Sequence, residues 1–440
     1  MKYIFFTFEG LSLPIAWRLL NDGEEVYVCQ VEDLLIPGKK EEVEVKRRRM
    51  SQYDGLIKKY TPSKMLKAMQ SISNKDNYFI FFDFNNLYKY ADIVQKMGFR
   101  NGLFPTEFDF KMETDRDMAQ NFIKEHYPDV RVIERMEFKN IQDAINFINQ
   151  SDKIWVLKGN SDDAKTVVPE NNEVETAREI LISALNEFKK EYESKGFILV
   201  EKIINPKEIT PMIVFNNGEV IFTDIDIEAK FRDAGDVGVQ VGAALSLVVR
   251  TNPLDEINKI AFPQIVYDMA KQRKGLFVWD LSLLIDENDN IYGSEYCSQR
   301  VGFDSIFAEM SMSNGKLFEK IVSNQNPLDK KFGVAIRIFN EHFDAVKGLK
   351  DGQKIVIPDE IKNETYVYEM KYEKELVSTN YSPDLAVITA SDNDIYKAIK
   401  SAYNNVEKFG FDGKGYRNDM LSIDYPTSIL GRYNYYLQRF

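Results

Sequence analysis

The segment Val200-Glu201-Lys202-Ile203-Ile204-Asn205-Pro206-Lys207-Glu208 constrains this chain more than any other. An apolar run, Gly196 to Val200, leads into it, and a second, Ile209 to Phe215, leads out, so two strands are expected to meet across a hinge as a hairpin. The unit carries two carboxylates seven positions apart, Glu201 and Glu208. Such a unit suits a purine nucleotide: the apolar run packs on the base, hinge backbone groups pair with its edge, and Glu208 takes the ribose hydroxyls. Downstream, Asp280 and Glu295-Tyr296-Cys297 fall on two further expected strands, spaced as a carboxylate pair for Mg²⁺.

The length of 440 residues exceeds one ordinary core and predicts two to four domains. A hydrophobic content of 44% excludes wholesale disorder. A net charge of −12 argues against a general nucleic-acid or anionic-membrane binder. The basic run Lys46-Arg47-Arg48-Arg49 follows Glu41, Glu42 and Glu44 and reads as a solvated face. Two cysteines, Cys29 and Cys297, exclude a disulfide framework or a cysteine-rich zinc site. The opening Met1 to Phe8 is too short for a signal sequence, with Glu9 directly behind it, and reads as a first buried strand. No stretch reaches membrane-spanning length, so a cytoplasmic protein without membrane partners is expected.

Tyr3–Phe8, the helical Ser12–Asn21 and the strand Glu25–Gln30 form a β–turn–α–β start that suits an open parallel sheet. Tyr78–Phe82 and the helical Leu87–Met97 repeat it, and Gly102-Leu-Phe-Pro105 marks a boundary. Helices are expected over 115–125 and 141–149, a strand over 153–157 ending in Lys158, and a long helix over 174–190. Asp233 to Gly242 reads as a glycine-containing loop, 305–322 as a helix, and Asn324 to Pro327 as a linker. A strand over 333–339 and a helix over 394–408 belong to the last part, which closes on Phe411-Asp-Gly-Lys-Gly-Tyr-Arg-Asn-Asp419.

The order of these units resembles the ATP-grasp superfamily, and within it phosphoribosylamine–glycine ligase, over nearly the whole chain. Met112 to Phe122 resembles that family's L-E-G-S-K-x-F-x-K-x-F segment, with Arg116 in place of its nucleotide-phosphate lysine. Trp155-Val-Leu-Lys158, with Lys165 seven residues on, resembles the strand and mobile loop that cover the ATP phosphates. Glu201 to Thr210 matches E-E-F-L-x-G-x-E-V-S without a gap. That match implies an adenine site along Glu201, Lys202, Ile203 and Ile204, through the Lys202 carbonyl and Ile204 amide, and a ribose acceptor at Glu208. Lys230 to Gly242 is similar to K-R-x-x-D-G-D-x-G-P-N-T-G-G, which puts Lys230 on phosphate. Asp280 and Glu295 fall where the family's Mg²⁺ (or Mn²⁺) carboxylates lie, and Arg300 where a guanidinium clamps the carboxylate or acyl phosphate. The closing Ala402-Tyr403…Phe411-Asp-Gly…Tyr416-Arg417-Asn-Asp419 is close to that ligase's C-terminal end.

The resemblance implies an open parallel α/β (pre-ATP-grasp) domain over 1–105, an ATP-grasp core of two α+β subdomains over 106–327, and a small C-terminal α/β domain over 328–440. It implies ATP and a divalent cation, an amino acid such as glycine, a phosphoribosylamine-like amine, a place in purine biosynthesis, and a monomer or homodimer. Departures gather in the acceptor half. The sugar-phosphate loop G-S-G-G-R-E-H-A is here Thr7 to Pro14, with Glu9 set to repel a phosphate; the G-P-E loop becomes Asp83-Phe84-Asn85, and the metal asparagine becomes Cys297. Arg300-Val-Gly302-Phe-Asp304 lacks the family's Pro-Glu, and the lid 159–165 is poor in glycine. Three readings follow: the ligase itself, a ligase with another amine acceptor, or a nucleotide-binding protein that has lost catalysis. Neither histidine, His126 or His342, has a hydrolytic partner in the sequence.

Overall fold

A computed structural model describes residues 1–33, 43–159, 166–169, 172–299, 303–343, 352–425 and 427–440. The chain forms two compact units, one of Met1–Ala119, Glu208–Ser282 and Glu295–Phe440, the other of Gln120–Lys207 and Leu283–Ser294.

The larger unit opens with a parallel sheet ordered Lys59–Tyr60, Glu25–Gln30, Lys2–Thr7, Tyr78–Phe82. Its inner strand Lys2–Thr7 is apolar from Tyr3 to Phe6 because both faces are covered. Ile4, Phe6, Ile80 and Phe82 pack with Val94 and Phe104, and the Phe6 and Phe82 rings stack at 4.8 Å. Each such side chain contributes about 1.5–3 kcal/mol on burial. At Gly102 the chain passes so close to Ile80 that a Cβ would lie 2.1 Å from the Ile80 carbonyl, which only a φ of 143° and no side chain permits. The expected helix at Ser12 runs over Leu13–Asn21, with Ser12 just before it.

A second, largely antiparallel sheet supplies most of the remaining strands. In order it runs Thr365–Val367, Asp384–Asp392, Phe332–Asn340, Val237–Thr251, Glu219–Asp233, Lys207–Asn216, Leu276–Ile285 and Ile291–Ser298. Helix Phe303–Met312 lies across three of these strands, and Gly333 lets it settle: a Cβ there would meet Met312 Sδ at 2.7 Å. The single helix expected over 305–322 is two, Phe303–Met312 and Leu317–Val322, because Asn314 and Gly315 take left-handed backbone between them. The loop expected over 233–242 is mostly strand. Only a tight turn around Ala234–Asp236 interrupts two long strands, Glu219–Asp233 and Val237–Thr251; their exposed ends carry glycine and isolated valines, which hides the ladder in the sequence.

Arg417, fully buried, locks that turn to the C-terminal part. Its guanidinium reaches Asp236 at 2.6 Å, Asp419 at 2.6 Å and the Phe231 carbonyl at 3.1 Å, while the Gly235 amide donates to Asp419 at 2.7 Å.

The smaller unit has a sheet ordered Arg135–Phe138, Phe197–Glu201, Trp155–Gly159, Thr166–Val167, packed by helices Ile141–Gln150, Val174–Glu187 and Lys189–Lys195. The long helix expected over 174–190 is thus divided at Phe188. A short strand, Arg131–Val132, pairs with Tyr292 and Gly293, and the Gln120 amide donates to the Gly293 carbonyl at 3.1 Å.

The expected hairpin across residues 201–208 does not form. Phe197–Glu201 pairs with Arg135–Phe138 and Trp155–Gly159, whereas Lys207–Asn216 pairs in the other sheet with Glu219–Asp233. Asn205, left-handed at φ 44°, and Pro206 redirect the chain between them, so each strand finds its partners elsewhere.

Candidate active site

Strand Glu219–Asp233 alternates Asp224, Asp226 and Glu228 with Ile225 and Ile227, so the three acids share one face. Helix Phe303–Met312 covers that face: the Ser305 hydroxyl donates to Asp226, and Glu309 approaches both aspartates closely enough to repel their charge. Burial alone pushes Asp224 well above the carboxylate range; burial with neighbouring carboxylates does the same to Glu228 and Glu309 and raises Asp226 to about 7. Among the described residues, Asp224 Oδ2, Asp226 Oδ1, Glu309 Oε1 and the neighbouring Ser246 Oγ have no hydrogen-bond partner. The sequence reading missed this row; its signal was the acid–isoleucine alternation, which reads equally as a half-exposed strand.

Asp280 joins the row from the adjacent part of the sheet. Strands Leu276–Ile285 and Ile291–Ser298 are hydrogen-bonded neighbours, and just beyond the second the Gln299 amide donates to the Val278 carbonyl at 2.9 Å. Burial, Glu228 and Glu113 raise Asp280 well above its usual range, while the Cys297 N–H opposes them by donating to its carboxylate. Glu295 is exposed and Cys297 half-buried.

Lys230 is the cation of this cluster. Its Nζ lies 2.6 Å from Glu208 Oε1; burial lowers its pKa, but Glu208, Glu295 and Glu228 together more than offset that. Buried Arg432, also unforeseen, donates to the Glu208 and Glu228 carbonyls at 3.1 and 2.7 Å and so fixes the two strands side by side. Glu208, Lys230, Asp280 and Glu295, four residues singled out in the sequence, are thus gathered in one unit. Arg116, exposed at the first position of helix Arg116–His126, is not tied to them.

In the smaller unit, Lys158 sits near the end of strand Trp155–Gly159, half-buried and paired across from Ile198. Glu201 accepts from Lys153 at 3.0 Å. The Lys202 amide donates to the Ile154 carbonyl at 2.8 Å, and its ammonium reaches the Pro169 carbonyl and, at 2.8 Å, Asn172 Oδ1. Ile203 is half-buried and Ile204 exposed. Lys165 and Arg300 lie outside the described residues.

At the carboxyl edge of the parallel sheet, Asp83, 1% exposed, is held by four donors: the Phe8 N–H at 3.3 Å, the Ser12 N–H at 3.2 Å, the Ser12 hydroxyl at 3.1 Å and the Thr7 hydroxyl. Two residues on, Asn85 Nδ2 donates to the Ser298 carbonyl at 2.8 Å and to Glu113 at 3.1 Å. This edge therefore adjoins the strand that carries Glu295 and Cys297.

No group of three metal-type side chains is assembled among the described residues. Mg²⁺ takes one or two carboxylates together with substrate phosphates, and a pair such as Asp280 and Glu295, in a neighbourhood of excess buried negative charge, fits that demand.

This architecture is the ATP-grasp fold, here in divergent form. Among solved structures the chain resembles phosphoribosylamine–glycine ligase from Thermotoga maritima at 17% identity and a TM-score of 0.64, over 95% of this chain and 100% of that one. It is similar to the biotin carboxylase domain of 2-oxoglutarate carboxylase from Hydrogenobacter thermophilus, a complex with MgADP and bicarbonate, at 12% identity and TM-score 0.61, covering 99% and 98%. N5-carboxyaminoimidazole synthetase from Staphylococcus aureus is similar at 14% identity and TM-score 0.54, covering 92% and 97%. No protein-family description and no curated protein matches the chain. Among the described residues, no helix is long and apolar enough to cross a membrane.

Proposed function

We propose that the protein is an ATP- and Mg²⁺-dependent carboxylate–amine ligase. A carboxylate oxygen of an amino acid such as glycine attacks the γ-phosphorus of ATP, giving an acyl phosphate and ADP. The amine nitrogen then attacks the acyl carbon; the C–N bond forms, the C–O bond to phosphate breaks, and phosphate and a proton leave. Such a sequence needs positioning and charge neutralisation more than a protein nucleophile. The observation that carries the reading is the pairing of Lys230 with Glu208, near Glu295 and Glu228, with Asp280 near the same Glu228. In this reading Asp280 and Glu295 hold the cation, and Lys230, Arg116, Lys158 and Lys165 meet phosphate. Glu208 takes the ribose, residues 201–204 take adenine, and Arg300 clamps the acyl phosphate.

Purified protein with ATP, Mg²⁺ and glycine should release phosphate only when an amine is added. Phosphoribosylamine is the simplest acceptor to begin with. Release independent of every carboxylate and amine would defeat the proposal. A second reading, a different acceptor on the same chemistry, is favoured by the loop that follows Thr7, where Asp83 holds the backbone amides.

A further inference from the structure

Open α/β sheets take ligands at the carboxyl ends of their strands, and a helix N-terminus there presents N–H groups to an anion. The loop from Phe8 to Ser12 is such a place: it leaves strand Lys2–Thr7 and enters helix Leu13–Asn21. In this chain the position is filled from within, since both backbone amides that face it, Phe8 and Ser12, already donate to the Asp83 carboxylate. The Ser12 hydroxyl at 3.1 Å and the Thr7 hydroxyl complete the set. A phosphate would have to displace a carboxylate that is 1% exposed and then meet Glu9 beside it.

Arg49, which touches this loop, offers no substitute. Arg49 directs its guanidinium inward, to the Phe8 carbonyl at 2.6 Å, the Val31 carbonyl at 3.3 Å and the Glu32 carbonyl at 3.2 Å, and it packs on the Phe8 ring at 4.2 Å. Gln52 closes the loop from its other side: a Cβ on Gly10 would come within 2.1 Å of Gln52 Oε1, and Gln52 Nε2 donates to buried Glu369 at 3.0 Å. Asn85, bonded to the Ser298 carbonyl, joins the same edge to the strand of Glu295.

We infer that the amine taken at this edge carries no phosphate ester, and that Asp83 sets this specificity by occupying the anion position on the Phe8 and Ser12 amides. The class admitted is a free amine, amino alcohol or unphosphorylated amino sugar. This rests on the ligase reading above for the word acceptor, but the occupied cradle is a separate matter, and the test separates them.

The full chain, saturated with Mg²⁺ and a nonhydrolysable ATP analogue, is titrated calorimetrically with matched pairs: ethanolamine against phosphoethanolamine, and glucosamine against glucosamine 6-phosphate. The unphosphorylated member of a pair is expected to bind at least ~10-fold tighter; tighter binding of the phosphate ester overturns the inference. Inorganic phosphate, titrated into the same loaded protein, is expected to bind Asp83→Ser and not the wild type. Saturable phosphate binding by the wild type that Asp83→Ser leaves unchanged overturns it equally. Asp83→Asn, which keeps the shape of the cradle, guards against a fold defect and is expected to exclude phosphate as the wild type does. Failure of the ligase reading shows elsewhere, as absence of carboxylate-dependent ADP formation, and leaves these binding results standing.

Discussion

Lys230 Nζ lies 2.6 Å from Glu208 Oε1 and bridges strands Lys207–Asn216 and Glu219–Asp233, with Glu228 and Glu295 close enough to share its charge. Removing either partner is therefore not equivalent. Lys230→Met leaves Glu208, Glu228 and Glu295 without their common cation and should cost about 2–4 kcal/mol, somewhat below a fully buried pair because both side chains keep some solvent. Glu208→Gln leaves two carboxylates on the lysine and should cost under about 1 kcal/mol. Urea midpoints of the two variants check this; equal losses would show that the lysine serves Glu208 alone.

The acid row gives the protein a pH-dependent stability of unusual sign. Burial raises Asp226 to about 7, Asp224 and Asp304 add to the rise, and the Ser305 hydroxyl opposes it. A carboxyl whose folded pKa exceeds its unfolded value of about 3.9 binds its proton more tightly when folded. Its contribution is complete below about pH 4 and is lost as pH climbs through about 7. Asp226→Asn removes that loss, so its stability relative to wild type should grow from pH 5 to pH 8 by on the order of 3 kcal/mol. Denaturation midpoints across that range, without nucleotide or metal, supply the comparison.

Asp280→Asn and Glu295→Gln should act alike on turnover and differently on stability. On the proposed reading each would take a carboxylate from the Mg²⁺ site, and each should lower the proposed ligase activity by about 100-fold or more. Asp280 is buried and Glu295 exposed. Without metal, the asparagine variant should melt above wild type at pH 7.5, because a costly buried charge is gone, and the glutamine variant should melt with it. Scanning calorimetry in chelator, beside an ADP-release assay, reads both; a lower melting point for Asp280→Asn would contradict the placement.

Tyr416-Arg417-Asn-Asp419 resembles the ligase's C-terminal end, and the structure gives Arg417 a holding role against Asp236, Asp419 and the Phe231 carbonyl. Arg417→Met should cost about 3–5 kcal/mol by leaving two carboxylates with no counter-charge. Arg417→Lys should recover only part of it, since an ammonium lacks the planar fork that reaches both. Thermal unfolding of the two variants distinguishes a structural clamp from a residue needed only for turnover.

The parallel sheet was legible because much of it is buried on both faces: Tyr78–Phe82, apolar throughout, appears at its true bounds, and in Glu25–Gln30 the run Val26–Cys29 marks the strand. Asp280 stands out in the sequence because it interrupts an apolar strand, whereas Glu295 sits in a strand of mixed polarity. Pairing partners were not. The runs on either side of Asn205-Pro206 look like a hairpin, yet each belongs to a different sheet, and nothing local records the strands that outbid the near neighbour. Asp83 stood in view only as a departure from a family loop. Its function as an internal anion depends on the positions of Phe8 and Ser12, brought to it by pairing of Lys2–Thr7 with Tyr78–Phe82.

Gly293 carries a consequence for how the smaller unit can be cut from the chain. The Arg131–Val132 strand pairs with Tyr292 and Gly293, and a Cβ on Gly293 would press within 2.4 Å of Ile123 Cδ1. A fragment ending at residue 207 would lack that distant strand, leaving Gln120 without its carbonyl acceptor and the Ile123 surface bare. Expressed alone, such a piece should aggregate, and adding residues 283–294 as a tethered or separate peptide should restore it to solution.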